Sequence, residues 1–219
     1  MITPDPEFIR KRTTEVVLVD GTRVVLRPLV PEDGRRILDG FARMSPESRY
    51  RRFMSPVDEL TPEMLRKLTD VDYVDHFAWA ALAKDEPGRP GIGVARYVRS
   101  QDDPEVAEAA VTVIDEYQHR GLGTLLLQAL GAAALEHGIT RFRGYVLEDN
   151  RAMREILEET GARTAHDGAG IVRVEVDLPI GRDVRASPAY RALRALARGE
   201  APRLLRWGAL WERPGRADD

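Results

Sequence analysis

The stretch Val113-Ile114-Asp115-Glu116-Tyr117-Gln118-His119-Arg120-Gly121-Leu122-Gly123-Thr124 constrains the fold more than any other part of this chain. A β-rich run, Val106 to Ile114, ends there. An apolar helix begins at once, with Leu122, Leu125, Leu126, Ala129, Leu130 and Ala133 at helical spacing and Gly138 just past the last turn. A strand delivered straight into a helix turns unpaired backbone N–H groups toward one point, and the helix dipole adds positive potential there. Gly121 and Gly123 let the backbone adopt φ > 0 and approach a ligand closely, and Arg120 adds charge. The stretch reads as an anion cradle or as a plain strand–turn–helix joint. Two phosphate fingerprints are excluded by residue identity. A dinucleotide loop needs glycine or alanine where Leu126 stands, and a P-loop needs Gly-Lys-Ser/Thr, whereas no lysine lies nearby.

The rest of the chain frames this joint. Val16 to Val19 and Arg23 to Leu26 flank Asp20-Gly21, a hairpin signal. Three helices are predicted next, each with proline near its first turn. Pro31 opens one carrying Ile37, Leu38, Phe41 and Met44; Ser45-Pro46 opens one carrying Tyr50, Phe53 and Met54; Thr61-Pro62 opens one carrying Met64, Leu65 and Leu68. Phe77 to Ala83 and Ile92 to Val98 read as strands. Alternation in the next strand puts Ala107, Ala109, Val111 and Val113 on one face and Glu108, Ala110, Thr112 and Ile114 on the other. Phe142 to Leu147 is a strand, Arg151 to Thr160 a helix with Met153, Ile156 and Leu157 inward, and Ile171 to Leu178 a last strand. Hairpins first and strand–helix alternation later predict an α/β fold, a mixed central sheet with helices on both faces.

Beyond Ile180 the composition shifts, with nine arginines against five acids over residues 182–219. Ser187-Pro188 starts another helix with a Tyr190, Leu193, Ala197 stripe, and Leu204, Trp207 and Trp211 are expected to share one helical face. The chain thus divides into a domain over residues 1–180 and an arginine-rich helical C-terminal extension over 181–219. Its tryptophan face must be covered by its own domain, a second copy or a partner, so a monomer or a homodimer through the extension is expected.

Composition sets the outer limits. A chain of 219 residues, 43% hydrophobic and 32% charged, is globular. A net charge of -3 supplies no global basic field, so a dedicated nucleic-acid binder is not expected. The lack of cysteine removes disulfides, thiolate metal sites and a cysteine nucleophile. His76, His119, His137 and His166 have no metal-ligand spacing, so no metal is expected. Met1 to Gly21 has no apolar signal core, and the apolar run Leu122 to Leu135 is too short to span a bilayer, which makes a cytoplasmic location the expectation.

Gln118-His119-Arg120-Gly121-Leu122-Gly123, set between a strand and a helix, resembles the coenzyme A pyrophosphate loop of the GNAT acetyltransferase superfamily. Downstream, Glu148-Asp149-Asn150-Arg151-Ala152-Met153, with Gly161-Ala162 closing the helix, resembles that superfamily's second block, an asparagine opening the helix beside the pantetheine arm. The resemblance covers roughly residues 22–178. A narrower one, carried by Ser45 to Met54, Asp72-Tyr73 and Ala107-Glu108, is to the acetyltransferase domain of bacterial protein lysine acetyltransferases. Those proteins often carry a synthetase-like or nucleotide-sensing region. A chain of 219 residues has no room for one, so regulation is expected to be absent or to come from a partner.

What the resemblance implies is a GNAT fold and acetyl-CoA as co-substrate. The reaction is then direct transfer of acetyl to an amine, a protein lysine first. A small polyamine-like or antibiotic-like amine, or a non-catalytic acyl-CoA sensor, are the alternatives. Val113, Ile114, Gln118, His119, Arg120, Gly121, Leu122, Gly123, Thr124, Asn150 and Met153 are the implied coenzyme contacts, with the N–H near Val113 or Ile114 on the thioester carbonyl. Glu108 is the implied general base, with Glu105, Asp115 and Glu116 as rivals. The superfamily's thiolate-protonating tyrosine falls at Leu157, which leaves the general acid unassigned. Arg49, Arg51 and Arg52 are either a solvated helix face or the border of the acceptor or adenosine phosphates.

Overall fold

Asp20-Gly21 does close a hairpin. In the computed structural model β1 (Thr14–Val17) and β2 (Arg23–Pro28) pair antiparallel, Gly21 takes φ 84°, and the Asp20 carboxylate accepts the Thr22 N–H at 2.9 Å. The structure describes residues 4–150, 153, 161–180, 187–200 and 203–207. A short capped helix, α1 (Pro6–Lys11), precedes the hairpin and was not legible as one.

The hydroxyl-proline starts hold. α2 (Gly34–Ala42) follows a 3-10 turn at Pro31–Asp33, which delays it relative to the expected start at Pro31. In α3 (Pro46–Phe53) the Ser45 hydroxyl accepts the Ser48 N–H at 3.1 Å. In α4 (Pro62–Thr69) Thr61 does the same for Met64 at 3.2 Å. Each cap satisfies an N–H that the helix itself cannot.

β3 (His76–Ala83), β4 (Gly91–Arg99) and β5 (Val106–Val113) form an antiparallel run, α5 (Leu122–Glu136) follows, and β6 (Arg141–Leu147) returns parallel to β5. β7 (Arg163–His166) and β8 (Ile171–Asp177) complete that edge. The order is β7-β8-β6-β5-β4-β3-β2-β1-β9. Helices cover both faces. The buried Trp79 of β3 donates its indole N–H to the Ala129 carbonyl of α5 at 3.1 Å, while the next residue, Ala80, faces a cavity roofed by Phe41, Phe53 and Leu68 of α2, α3 and α4. β7 was not expected, because Arg-Thr-Ala-His shows no apolar alternation and is exposed throughout; pairing with β8 and an Arg163–Asp177 ion pair hold it.

The tail departs from expectation. α6 (Pro188–Arg198) does form, capped by Ser187 and buried through Tyr190, Leu193 and Ala197, and Arg198 pairs with Glu136 of α5. Leu204 to Arg206, however, is not helical. It is β9 (Leu204–Arg206), a ninth strand parallel to β1, with the Arg203 carbonyl accepting the Glu15 N–H at 2.9 Å. The physical reason is the β1 edge, whose backbone groups are satisfied by a strand and not by a helix. Alternation then buries Leu205 and leaves Leu204 48% exposed, and Trp207 is buried beyond the strand. Trp211 and, apart from Met153, the expected helix Arg151 to Thr160 lie outside the described residues.

Burial also sets a pH dependence. His76 and His137 are half-buried and each is pushed below the ordinary 6.5, chiefly by loss of solvent. The unfolded chain therefore takes up protons that the folded chain refuses, so stability is full above pH 6.5 and declines as pH falls through that value. Thermal melts should show a level Tm from pH 8 to 7 and a fall below pH 6.5, and His137→Gln should flatten the upper part of that slope. A Tm that rises on acidification to pH 5.5 contradicts this account.

Candidate active site

β5 and β6 run together for only three residues. Val106 pairs with Arg141, Ala107 with Phe142 and Glu108 with Arg143, and there the register ends. β5 continues along β4 to Val113 and β6 continues along β8 to Leu147, so the two strands open into a fork. Gly144 sits at its apex, where a Cβ would stand 3.4 Å from the Ala109 carbonyl oxygen. An antiparallel ladder alternates which strand each residue's N–H faces. Ile114 gives its N–H to the Ile92 carbonyl at 3.1 Å, so by alternation Val111 and Val113 aim theirs into the fork.

The fork opens into a cleft of about 560 Å³. Glu108, Val113, Gln118, His119, Gly121, Gly123, Thr124, Asn150 and Met153 all line it. Three expected contacts do not. The Ile114 side chain is buried in a separate cavity and its N–H is engaged with β4, which leaves Val113 as the donor of that pair. Arg120 turns to the hairpin, where it meets Asp20 and Thr22 at 3.2 Å and the Glu116 carbonyl at 2.9 Å, because an anchored guanidinium has three acceptors there. Leu122 is 1% exposed and points into the core, so only its backbone can reach the cleft.

The floor of the cleft is the start of α5. His119 has φ 59° and Gly121 has φ 78°, and no side chain caps the first turn. Backbone N–H groups at residues 122–124 therefore meet the cleft with the helix dipole behind them. Gln118 ties this loop down, donating to the Val113 carbonyl at 3.1 Å and to the Ser48 hydroxyl at 3.3 Å. On the far wall the Asn150 side chain accepts the Met153 N–H at 3.2 Å, an N-cap. Leu157 lies outside the described residues.

α3 is pinned over the mouth by Asp115. Partial burial opposes its charge, but hydrogen bonds from the Ser45 N–H (3.0 Å), the Ser45 hydroxyl (2.7 Å) and the Ser48 hydroxyl (2.9 Å) outweigh it and hold the carboxyl below its usual range. Glu116 is held low by the Arg43 guanidinium at 2.7 Å. Glu105 accepts from Thr140 at 3.2 Å, at the opposite end of β5. None of these three carboxylates lines the cleft, whereas Glu108 does and is exposed in it. The arginine cluster splits. Arg49 lies over the Phe41 ring at 4.4 Å, whereas Arg51 and Arg52 line the cleft.

Arg96 was not singled out from the sequence. It is only 8% exposed, donates to the Leu68 carbonyl at 2.9 Å and stands 3.3 Å from His76 Nε2. Burial, and then the nearby Arg52, push it down to about 9. The signal was a charge inside the apolar run Ile92 to Val98. Among the described residues no group of three or more carboxylates and histidines is placed to hold a metal, and no helix is long and apolar enough to cross a membrane.

Residues 23–163 match the model of the acetyltransferase (GNAT) domain. The chain belongs to the GNAT acetyltransferase family. It is 41% identical over 178 residues to acetyltransferase Pat of Mycolicibacterium smegmatis, a match covering 81% of this chain and 50% of that protein. It is also 32% identical over 158 residues to acetyltransferase PA5475 of Pseudomonas aeruginosa, covering 71% and 84% of the two. The chain thus spans half the length of the first of these relatives and most of the second. Among solved structures, the GNAT domain of S. lividans PAT superposes with a TM-score of 0.69 at 32% identity, over 76% of this chain and 97% of that one. GNAT acetyltransferases use acetyl-CoA, and in this GNAT domain the fork and the uncapped α5 start line one cleft.

Proposed function

We propose that this protein is an acetyl-CoA-dependent N-acetyltransferase that modifies a protein lysine, with Glu108 as general base. The observation that carries the reading is the fork, with backbone donors along one strand, an uncapped helix start at its floor and one exposed carboxylate at its apex. These features fit the parts of the coenzyme. The N–H groups at residues 122–124 and the turned backbone at Gly121 take the pyrophosphate. Val111 and Val113 aim donors at the pantetheine arm and the thioester carbonyl, while Asn150 and Met153 wall the arm from the other side.

Acetyl-CoA supplies the activated acetyl group; the chain supplies position and proton transfer. A lysine amine with pKa about 10.4 requires about 4.6 kcal/mol to deprotonate at pH 7. Glu108, at the fork's apex on the face of β5 shared with Ala110 and Thr112, takes that proton as the amine attacks. The acceptor enters beneath α3, where Met44, Arg51, Arg52 and Met54 form the rim. The Ser45 to Met54 segment, which carries the resemblance to protein lysine acetyltransferases, builds this rim, and the similarity to Pat covers it. With acetyl-CoA in excess, a lysine on a folded protein acceptor should be modified with at least tenfold higher kcat/KM than free lysine or spermidine, about 1.4 kcal/mol of transition-state preference. Thiol release and mass spectrometry on the same acceptors read this directly, and the reverse ranking moves the reading to a small amine.

A further inference from the structure

The cleft uses residues from Met44 to Ile180, yet the loop at its floor leans on a segment beyond them. A Cβ placed on Gly121 would meet Trp207 Cδ1 and Nε1, each at 3.9 Å, so the indole edge packs directly behind the left-handed turn of the loop. Trp207 is 3% exposed. It follows β9, whose three residues pair with β1, and β1 leads into the hairpin whose Asp20 and Thr22 hold Arg120. Consecutive residues of the loop, Arg120 and Gly121, are therefore backed from one corner of the sheet, the first by the β1–β2 turn and the second by the tail.

We infer that the tail segment Leu204–Trp207 is a positioning element of the coenzyme site, with Trp207 holding Gly121 in the conformation that aims the α5 N–H groups at the pyrophosphate. Glycine populates φ > 0 about as readily as φ < 0, so it is packing around Gly121 that selects the basin at φ 78°. Gln118 ties down the loop's entry, and the Gly121 carbonyl accepts the Leu125 N–H at 3.0 Å as α5 begins, which fixes one side of the turn. The indole is the side chain that backs the other side of the turn. Removing it leaves a void behind Gly121 into which the loop can relax, and the N–H groups then lose their common aim. The tail thus belongs functionally to the acetyltransferase domain, although it lies outside residues 23–163, the part that matches the family.

This rests on the reading of the loop as the pyrophosphate site, and the test separates the two. Calorimetry compares acetyl-CoA with S-acetylpantetheine, which has the same acetyl and pantetheine groups and lacks the whole 3′-phosphoadenosine diphosphate half, the pyrophosphate included. The full chain should bind acetyl-CoA at least tenfold tighter. Trp207→Ala should weaken acetyl-CoA about fivefold and leave S-acetylpantetheine unchanged, and Trp207→Phe should restore affinity to within about twofold. Equal affinity of the unaltered protein for the two donors overturns the loop reading and the positioning role of Trp207 with it. A preference that survives Trp207→Ala undiminished, or an equal loss for both donors, overturns the positioning role alone. If Trp207→Ala does not fold, Trp207→Leu, which keeps bulk and removes the flat edge, carries the same comparison.

Discussion

Glu108→Gln is expected to lower kcat by about 10²–10⁴ while acetyl-CoA binding stays as it was. Glutamine keeps the shape of the side chain and loses only proton acceptance. The size of the effect follows from the lack of a second carboxylate among the described residues that line the cleft. Asp115 is committed to the caps of α3, Glu116 to Arg43, and Glu105 to Thr140 at the opposite end of the strand. With Glu108 neutral, the acceptor must arrive already deprotonated or lose its proton to water. At pH 7 only about one lysine amine in 10³ is neutral, which matches the predicted loss. The variant's rate should then climb with pH, approaching tenfold per unit until the amine's own pKa is neared. Arg52 is near enough to act electrostatically on Glu108, and burial pushes its own guanidinium below the ordinary value while Glu108 opposes that. Removing the carboxylate therefore also removes the charge that favours Arg52, so the double variant Glu108→Gln with Arg52→Gln should fold at least as well as Glu108→Gln alone. Normal turnover by Glu108→Gln near pH 7 would assign the proton to water.

How far the sequence carried depends on the range of each interaction. The α3, α4 and α6 starts were legible because a hydroxyl and a proline act within three residues, and the structure shows each cap closed at Ser48, Met64 and Tyr190. The strand-loop-helix joint was legible for the same reason. The fork was not, because its apex is a register between residues more than thirty apart, and only the end of that register shows where the strands part. Periodicity also misled where a segment is short. Leu204 is spaced with Trp207 and Trp211 for a helix, yet Leu204–Arg206 fills the open β1 edge as a strand and helical backbone begins only at Trp207, because unpaired strand backbone outweighs a weak helical preference. β7 stayed invisible because its residues are polar on both faces. Arg120, Leu122 and Ile114 were placed with the site by the resemblance of the loop they belong to. The side chain of each turns away, Arg120 to an acid a hundred residues earlier and the other two into the core.

Gly123→Val offers the cleanest separation of coenzyme binding from folding. Gly123 is the second residue of α5 and does not need a left-handed backbone, unlike Gly121. A Cβ at this position meets nothing nearer than Val113 Cγ2 at 4.0 Å, so the backbone site accepts a Cβ without a clash. Helix propensity even favours valine over glycine by a few tenths of a kcal/mol, so Tm should hold or rise slightly. The space the valine occupies lies between the start of α5 and the end of β5, on the wall of the cleft that the pyrophosphate must reach. The backbone N–H groups remain, but a bound anion can no longer approach them to hydrogen-bonding distance. Acetyl-CoA affinity should fall at least tenfold, about 1.4 kcal/mol or more, by calorimetry, whereas S-acetylpantetheine should bind as before. Gly121→Val makes the contrast: it forces a β-branched residue to φ 78° against Trp207, so stability and affinity should fall together. If folded Gly123→Val binds acetyl-CoA like the unaltered protein, the phosphates do not lie on the α5 start, and the helix-terminus site must be abandoned in favour of a coenzyme path along Arg51 and Arg52.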